Sequence, residues 1–278
     1  MASRCVPDVG RSLEAPLSIE TIRRGLVTER IGVQTYLFGE VGSTNAVLRH
    51  LAQTGAADGT VVLAETQTVG RGRLGKPWFS PPALNVYASV LLRPPIAPSA
   101  VPAFAMIASL AVADAVWAEG LPASVKWPND VLVARRKVAG TLVGYAIEGD
   151  RTQYVILGVG VNLNVDRAML VTGLGAAATD AGSLREAAGH PIDRNAFAAR
   201  LLNALEKWDD AYRARGPAPV LEAWRQRDGL AGHLVRLREP HREWLARAIG
   251  VSADGRLLVQ NDSDAPCEVT DAEVVFAD

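Results

Sequence analysis

The chain has 278 residues, 49% of them hydrophobic, enough for a sizeable core in one main domain with room for a second small one. Lys and Arg number 29 against 30 Asp and Glu, a net charge of −1, so the chain as a whole is biased toward neither nucleic acid nor an anionic membrane surface. The two cysteines, Cys5 and Cys267, sit near opposite ends without CxxC or Cys/His spacing, which argues against a disulfide scaffold or zinc site; no apolar run reaches transmembrane length and no secretory segment opens the chain, so a soluble cytoplasmic protein is expected.

Residues 1–32 are mixed in character, with Pro7, Gly10 and Pro16, and Ser18 to Leu26 predicts a short helix. Val33 to Phe38 reads as a strand. Gly42-Ser43-Thr44-Asn45 reads as a helix start with a serine or threonine cap, the helix running to about Gln53 and stopping at Gly55. Val61 to Thr66 is a strand that feeds the loop Gly70-Arg71-Gly72-Arg73-Leu74-Gly75-Lys76-Pro77-Trp78. Three glycines and three cations fall within seven residues there. Glycines allow close approach of a ligand, and arginines offer planar forks of donors to phosphate or carboxylate. The loop therefore reads as an anion clamp, against the plainer alternative of a solvated basic turn.

Asn85 to Leu92 alternates, with Val86, Ala88, Val90 and Leu92 on one face and Tyr87 and Ser89 on the other. Val101 to Ala118 is apolar nearly all round and predicts a buried helix, capped at Ser99 and stopped at Gly120. Val125 to Asp130 is a short strand breaking into a proline turn. Val138 to Ile147 and Tyr154 to Leu163 predict two adjacent strands. On the second, Val155, Leu157, Val159, Val161 and Leu163 share one face, while Gly158, Gly160 and Asn162 share the other. Glycine weakens a strand interior, so that bare face points to something lying close on the backbone, a ligand or a packed helix. Residues 165–182, rich in Gly and Ala, predict a mobile loop. Asp193 caps a helix carrying Phe197, Leu201, Leu205, Trp208 and Tyr212 at helical spacing, and Ala218 to Arg227 is another. From Gly229 the composition shifts to short strands, 234–238, 244–251, 257–260 and 269–276. That pattern predicts a small all-β barrel packed on the main domain.

The loop spells GxGxxG, yet a dinucleotide fold needs a helix opening within the motif, and Pro77, Pro81 and Pro82 forbid one. Kinase and P-loop signatures are missing. His50, His190, His233 and His241 lie away from these motifs, so histidine acid–base chemistry is not expected. Cations and backbone donors must carry the chemistry, which suits attack by a carboxylate on a nucleotide α-phosphate. Lys126-Trp127-Pro128-Asn129-Asp130 adds a cation, an amide and a carboxylate that can hold Mg²⁺ beside a triphosphate. Lys137 follows just inside the next strand.

These motifs, together with Glu65 to Arg73, Arg136-Lys137-Val138-Ala139-Gly140 and Gly158-Val159-Gly160-Val161-Asn162, resemble in order and spacing those of the bacterial biotin–protein ligases. The resemblance covers about residues 33–278. It implies an α+β fold, a mixed β-sheet with flanking helices of the class II aminoacyl-tRNA synthetase and biotin ligase kind, with a catalytic domain at 33–228. A small C-terminal SH3-like β-barrel would follow at 229–278. It implies biotin, ATP and Mg²⁺ as reactants, biotinyl-5′-AMP as intermediate, and as partner the lysine of a biotin carboxyl carrier domain of acetyl-CoA or related carboxylases. Neither DNA nor a membrane is an expected partner; a homodimer through sheet edges stays open.

By the same resemblance Ser43, Thr44 and Gln67 would hydrogen-bond the ureido end of biotin, and Asn45 would also bind biotin. Gly70 and Arg71 would bracket its carboxylate, and Gly140, Leu142, Gly158 and Gly160 would line its slot. Lys137 would touch the carboxylate and the α-phosphate and, with Arg71, be catalytic. Arg71, Arg73, Lys76, Trp78, Lys126, Asn129 and Asn162 would serve ATP or the adenylate, and Asp130 the metal. Three departures stand out. Residues 1–32 are too few for the winged-helix domain of the repressor members, so a ligase without repressor function is expected. Gly144 replaces a glutamate of the best-known member, and the 165–182 segment lacks a tryptophan. A lipoate or octanoate ligase of the same fold is the alternative.

Overall fold

The structure is a computed structural model describing residues 15–239, 241–261 and 265–277; Cys5, Pro7 and Gly10 lie outside the described residues. Helix α1 (Ile19–Arg24) is capped by Ser18, whose hydroxyl accepts from the Thr21 N–H. The segment around it is packed. Leu17, Ile22 and Ile31 are buried in the main core, and the Glu206 carboxylate accepts from the N–H groups of Glu29, Arg30 and Ile31.

The main sheet is built from β1 (Thr35–Val41), β2 (Val61–Gln67), β3 (Val86–Leu92), β4 (Ala123–Lys126), β5 (Asp130–Val133), β6 (Arg136–Glu148) and β7 (Arg151–Val161), in the order β1-β2-β3-β7-β6-β5-β4. Only β1 and β2 pair in parallel, so the sheet is mixed, as expected. Sequence reading missed β5, because four residues between a proline turn and the next strand leave little alternation to see. Ala134 and Arg135, both at positive φ, make the tight turn from β5 to β6.

One face of the sheet is buried under α3 (Ala103–Trp117), which packs in turn on α6 (Arg194–Arg215) and α7 (Ala218–Arg227). Eleven of the fifteen residues of α3 are buried, as its uniform apolarity requires. Counting the turn before it, residues 98–117 are apolar and long enough to cross a membrane, contrary to the sequence reading, yet about 67% of that stretch is buried inside the protein. A 3₁₀ turn at Pro98–Ala100 precedes α3, so Ser99 does not cap it.

Helix α2 (Thr44–Gln53) covers only part of the other face. Leu48 and Ala52 pack on Val62, Leu91, Tyr154 and Ile156. A leucine buried as fully as Leu48 contributes about 1.5–3 kcal/mol, enough to fix the end of the helix. The rest of that face, where β7 and β6 carry glycines, is left open. Residues 165–182, expected as a mobile loop, instead form α4 (Arg167–Leu174), capped by Asp166, and a 3₁₀ turn at Gly175–Thr179. Leu170 and Ala178 bury against Val165 and Ala181, which gives this glycine- and alanine-rich stretch a small core of its own. Helix α5 (Leu184–Ala188) follows.

The C-terminal strands β8 (Leu234–Glu239), β9 (Arg242–Val251), β10 (Leu257–Gln260), β11 (Cys267–Val269) and β12 (Glu273–Phe276) form a barrel-like antiparallel sheet in the order β11-β10-β9-β8-β12. The single strand expected at 269–276 is thus two strands that end on opposite edges. The chain crosses between them at Thr270-Asp271-Ala272. These strands pack on the main sheet's side of the molecule: Trp127 donates its indole N–H to the Gly255 carbonyl at 3.0 Å, and one continuous core runs through both.

Candidate functional site

The open part of the sheet becomes a cavity of about 370 Å³, roofed by the glycine loop, flanked by α2 and closed by the C-terminal domain. Register explains its floor. Gly140 pairs with Gly160, and Leu142 with Gly158. On the other side Tyr87 pairs with Gly160 and Ser89 with Gly158. The bare face read from β7 alone is therefore doubled by Gly140 on β6. Side chains use that space. A β-carbon at Gly158 would overlap the Asn45 amide, and one at Gly160 would overlap the Trp78 indole. The indole also lies over Gly140, whose β-carbon would stand 3.1 Å from it.

The polar end of the cavity is at the start of α2. Ser43 is the cap residue, but its hydroxyl makes no capping bond and lines the cavity. The Thr44 N–H donates to Gln67 Oε1 at 2.9 Å, and Asn45 Nδ2 donates to the Leu142 carbonyl at 3.3 Å.

The cationic end gathers Arg71, Arg73, Lys76, Lys126 and Lys137. The loop is held as a short hairpin: the Trp78 N–H donates to the Gly70 carbonyl at 2.9 Å and the Gly72 N–H to the Lys76 carbonyl at 2.8 Å. Two of its three cations are pre-paired. Arg73 meets Asp271, and Lys76 meets Glu273 at 2.6 Å, so both partners come from the C-terminal domain. Lys137 Nζ lies 2.6 Å from Asp130 Oδ1 and 5.5 Å from the Trp78 ring. Lys126 reaches the other Asp130 oxygen at 3.9 Å. Burial pushes the Lys126 ammonium below its ordinary range; Asp130 opposes this and Lys137 adds to it. Among the described residues, Arg71 has no ion-pair partner, so its fork faces the cavity unclaimed.

All the site residues expected from sequence line this one cavity except Gly70. Gly70 lies behind the wall, where a β-carbon would stand 2.9 Å from Ser80 Oγ and 3.0 Å from the Trp78 carbonyl. Two amides are partly committed: Asn129 donates to the Thr141 carbonyl and Asn162 to the Gly182 carbonyl, the latter at 3.0 Å. Asp130 is a counter-ion to two lysines, and no group of three metal-binding side chains occurs among the described residues. That is a poor fit for a metal held by protein side chains alone.

Sequence reading missed the C-terminal contribution. Asp271, Glu273 and Phe276 reach the site from nearly 200 residues beyond the loop, with |i−j| of 198 and 197 for the two ion pairs. It also passed over Ser89, although the alternation of β3 had already placed it on the non-core face.

The model of the biotin/lipoate A/B protein ligase family matches residues 38–162. Similar proteins include the biotin–[acetyl-CoA-carboxylase] ligase of Paracoccus denitrificans, 32% identical over 86% of this chain and 99% of its own length. The bifunctional ligase/repressor BirA of Bacillus subtilis is 33% identical over 88% of this chain and 75% of its own length. Among solved structures, biotin protein ligase from Aquifex aeolicus in complex with biotin and ATP has a TM-score of 0.72 and 24% identity, over 88% of this chain and 98% of that one. At that identity it speaks to the fold.

Proposed function

The chain belongs to the biotin protein ligase family and is a ligase, and from that premise we propose that it makes biotinyl-5′-AMP and pyrophosphate from biotin and MgATP. The biotinyl group then passes to the lysine of a carboxylase's carrier domain, with release of AMP. One observation carries this reading. A single cavity joins an apolar slot with a hydrogen-bonding end, at Thr44, Asn45 and Gln67, to a cluster of cations that includes Arg71, Arg73, Lys76, Lys126 and Lys137. A molecule with a polar ring at one end and a carboxylate at the other spans such a cavity with its carboxylate among the cations.

In the first step the biotin carboxylate attacks the α-phosphorus and pyrophosphate leaves. Negative charge grows on the phosphoryl oxygens, and fixed cations stabilise that growth more than they stabilise the ground state. Lys137 serves the carboxylate and α-phosphate, Arg71 the carboxylate and the adenylate phosphate. Arg73, Lys76 and Lys126 meet the outgoing phosphates, which displace Asp271, Glu273 and Asp130 as partners. Asn129 and Asn162 serve the nucleotide through their uncommitted oxygens. Asp130, if released from its lysines, would be the protein carboxylate available to a magnesium ion carried in with the nucleotide. In the second step the carrier lysine's amine attacks the acyl carbonyl and AMP leaves. The hairpin loop covers the mixed anhydride and keeps water from it.

The test is ATP–pyrophosphate exchange supported by biotin, against lipoate and octanoate, followed by mass analysis of an isolated carrier domain. Exchange with biotin and a mass gain of one biotinyl group are expected. Exchange only with lipoate or octanoate overturns the assignment.

A further inference from the structure

We infer that Ser89 and Ser80 are positioning residues: Ser89 sets the hydrogen-bond polarity of the biotin pocket, and Ser80 ties that pocket to the backbone of the anion loop. The inference rests on the biotin reading above. Neither serine carries a charge or is expected to touch a phosphate. Ser89 is fully buried, and Ser80 and Thr44 nearly so.

The chain of bonds is continuous and its direction follows from groups with only one role. The Leu142 carbonyl can only accept, so the Asn45 amide nitrogen faces it at 3.3 Å and Oδ1 turns to Ser89, 2.5 Å away. Asn45 Oδ1 can only accept, so the single Ser89 proton goes to it. Ser89 Oγ lies 2.8 Å from Thr44 Oγ1 and is then left as an acceptor; the single Thr44 hydroxyl proton has two acceptors in reach, Ser89 Oγ and Gln67 Oε1 at 3.2 Å, the nearer being Ser89. The Thr44 backbone N–H can only donate, so Gln67 Oε1 faces it at 2.9 Å and Gln67 Nε2 turns to Ser80 Oγ at 3.3 Å. Ser80 passes its proton to the Trp78 carbonyl at 3.0 Å. Trp78 is pinned from the other side by the Gly70 carbonyl, and Gly70 has no room for a β-carbon because Ser80, Trp78 and Gln67 crowd it.

Two consequences follow for recognition. With both amides locked this way, each keeps one N–H for a ligand oxygen, while the hydroxyls keep lone pairs for ligand N–H groups. That set matches a cyclic urea, which has one carbonyl and two N–H groups. A simple alkanoate leaves the same groups buried and unpaired, the situation in which a polar site rejects a ligand most strongly. The relay also ends on the main chain of Trp78, from which the indole hangs, in the loop that bears Arg71, Arg73 and Lys76. Filling the urea pocket therefore stiffens the loop that receives ATP.

The experiment uses the full chain and ATP–pyrophosphate exchange. Ser89→Ala should raise the KM for biotin about 10- to 100-fold and erode selectivity for biotin over octanoate, with the KM for ATP and kcat within about twofold. Ser80→Ala should leave the biotin KM within about threefold but abolish the tightening of ATP by saturating biotin; Ser80→Thr, which keeps the hydroxyl, should restore it. Unchanged biotin KM and selectivity in Ser89→Ala overturns the inference. So does a uniform loss across both substrates with a fall in Tm, which is the mark of a merely structural serine. If Ser89→Ala does not fold, the Ser80 pair decides alone, and equal coupling in Ser80→Ala and wild type overturns the inference. Wild type that exchanges only with octanoate removes the biotin reading itself, and that failure is visible before any variant is made.

Discussion

The indole of Trp78 lies against the backbone of Gly160, and its buried Nε1–H has no hydrogen-bond partner among the described residues. An unpaired buried donor costs about 1–3 kcal/mol, so the indole holds this place loosely and yields to a ligand that can pair its own polar groups. Saturating biotin should therefore shift the intrinsic fluorescence of wild type by moving Trp78, one of six tryptophans. Trp78→Phe should lose most of that change while still binding biotin. Gly160→Val should displace the indole and block the slot, raising the biotin KM more than about 100-fold. Equal fluorescence changes in wild type and Trp78→Phe would show that the indole stays where it is.

Lys137 should be the most sensitive cation. Its ammonium is 2.6 Å from Asp130 and beside the Trp78 ring, so it is aimed into the cavity from the rigid start of β6. Lys137→Ala should slow single-turnover adenylate formation by about 10³-fold or more, since a charge contact that strengthens in the transition state is lost. Arg71→Ala should instead speed loss of the adenylate, because this fork stands on the loop and has no carboxylate to hold it. A Lys137→Ala enzyme with near-normal single-turnover rates would exclude the catalytic role.

Much of this site was legible in the chain. The alternation of β7 exposed the bare face at Gly158 and Gly160, and the prolines after Trp78 excluded a nucleotide-binding helix. What could not be read was register. Ser89 matters because it pairs with Gly158 and faces Thr44 and Asn45, and no local pattern states which residue of β3 stands beside which residue of β7. Asp271 is hidden for a similar reason: it lies in a crossing between two edge strands, so its only signal is a fold in which that crossing meets the loop. Composition also misled at 165–182, where alanine and glycine suggested mobility although a capped helix forms.

Nucleotide binding should weaken on the alkaline side earlier than an ordinary lysine would allow. Burial lowers the Lys126 pKa, and Asp130 restores only part of it. A polyphosphate favours the ammonium, so binding takes up a proton; affinity is full below the pKa of the free enzyme and falls as pH rises through it. The KM for ATP measured against pH should rise in the alkaline range with wild type. Lys126→Arg, whose guanidinium stays charged, should flatten that rise. A profile identical in both enzymes would place the titrating group elsewhere.

The ion pairs between loop and C-terminal domain should hold the loop weakly and be exchanged for phosphate. Lys76 and Glu273 are 2.6 Å apart with 58% and 37% of their side chains exposed, so solvent limits the pair to less than about 1 kcal/mol. The hydrogen bond from Lys76 holds the Glu273 carboxyl below the usual carboxylate range. A lowered folded pKa contributes stability above the unfolded value, and that stability is lost as pH falls through the folded one. Glu273→Gln should thus lower Tm slightly near neutrality and not at all in acid. The same substitution frees Lys76 for the nucleotide, so the KM for ATP should fall about two- to threefold. The Asp271→Asn, Glu273→Gln double variant should extend that fall through Arg73. Steady-state ATP titrations at fixed biotin check this, and a rise of the ATP KM in the double variant would mean that the carboxylates hold the loop in its working position instead of competing for its cations.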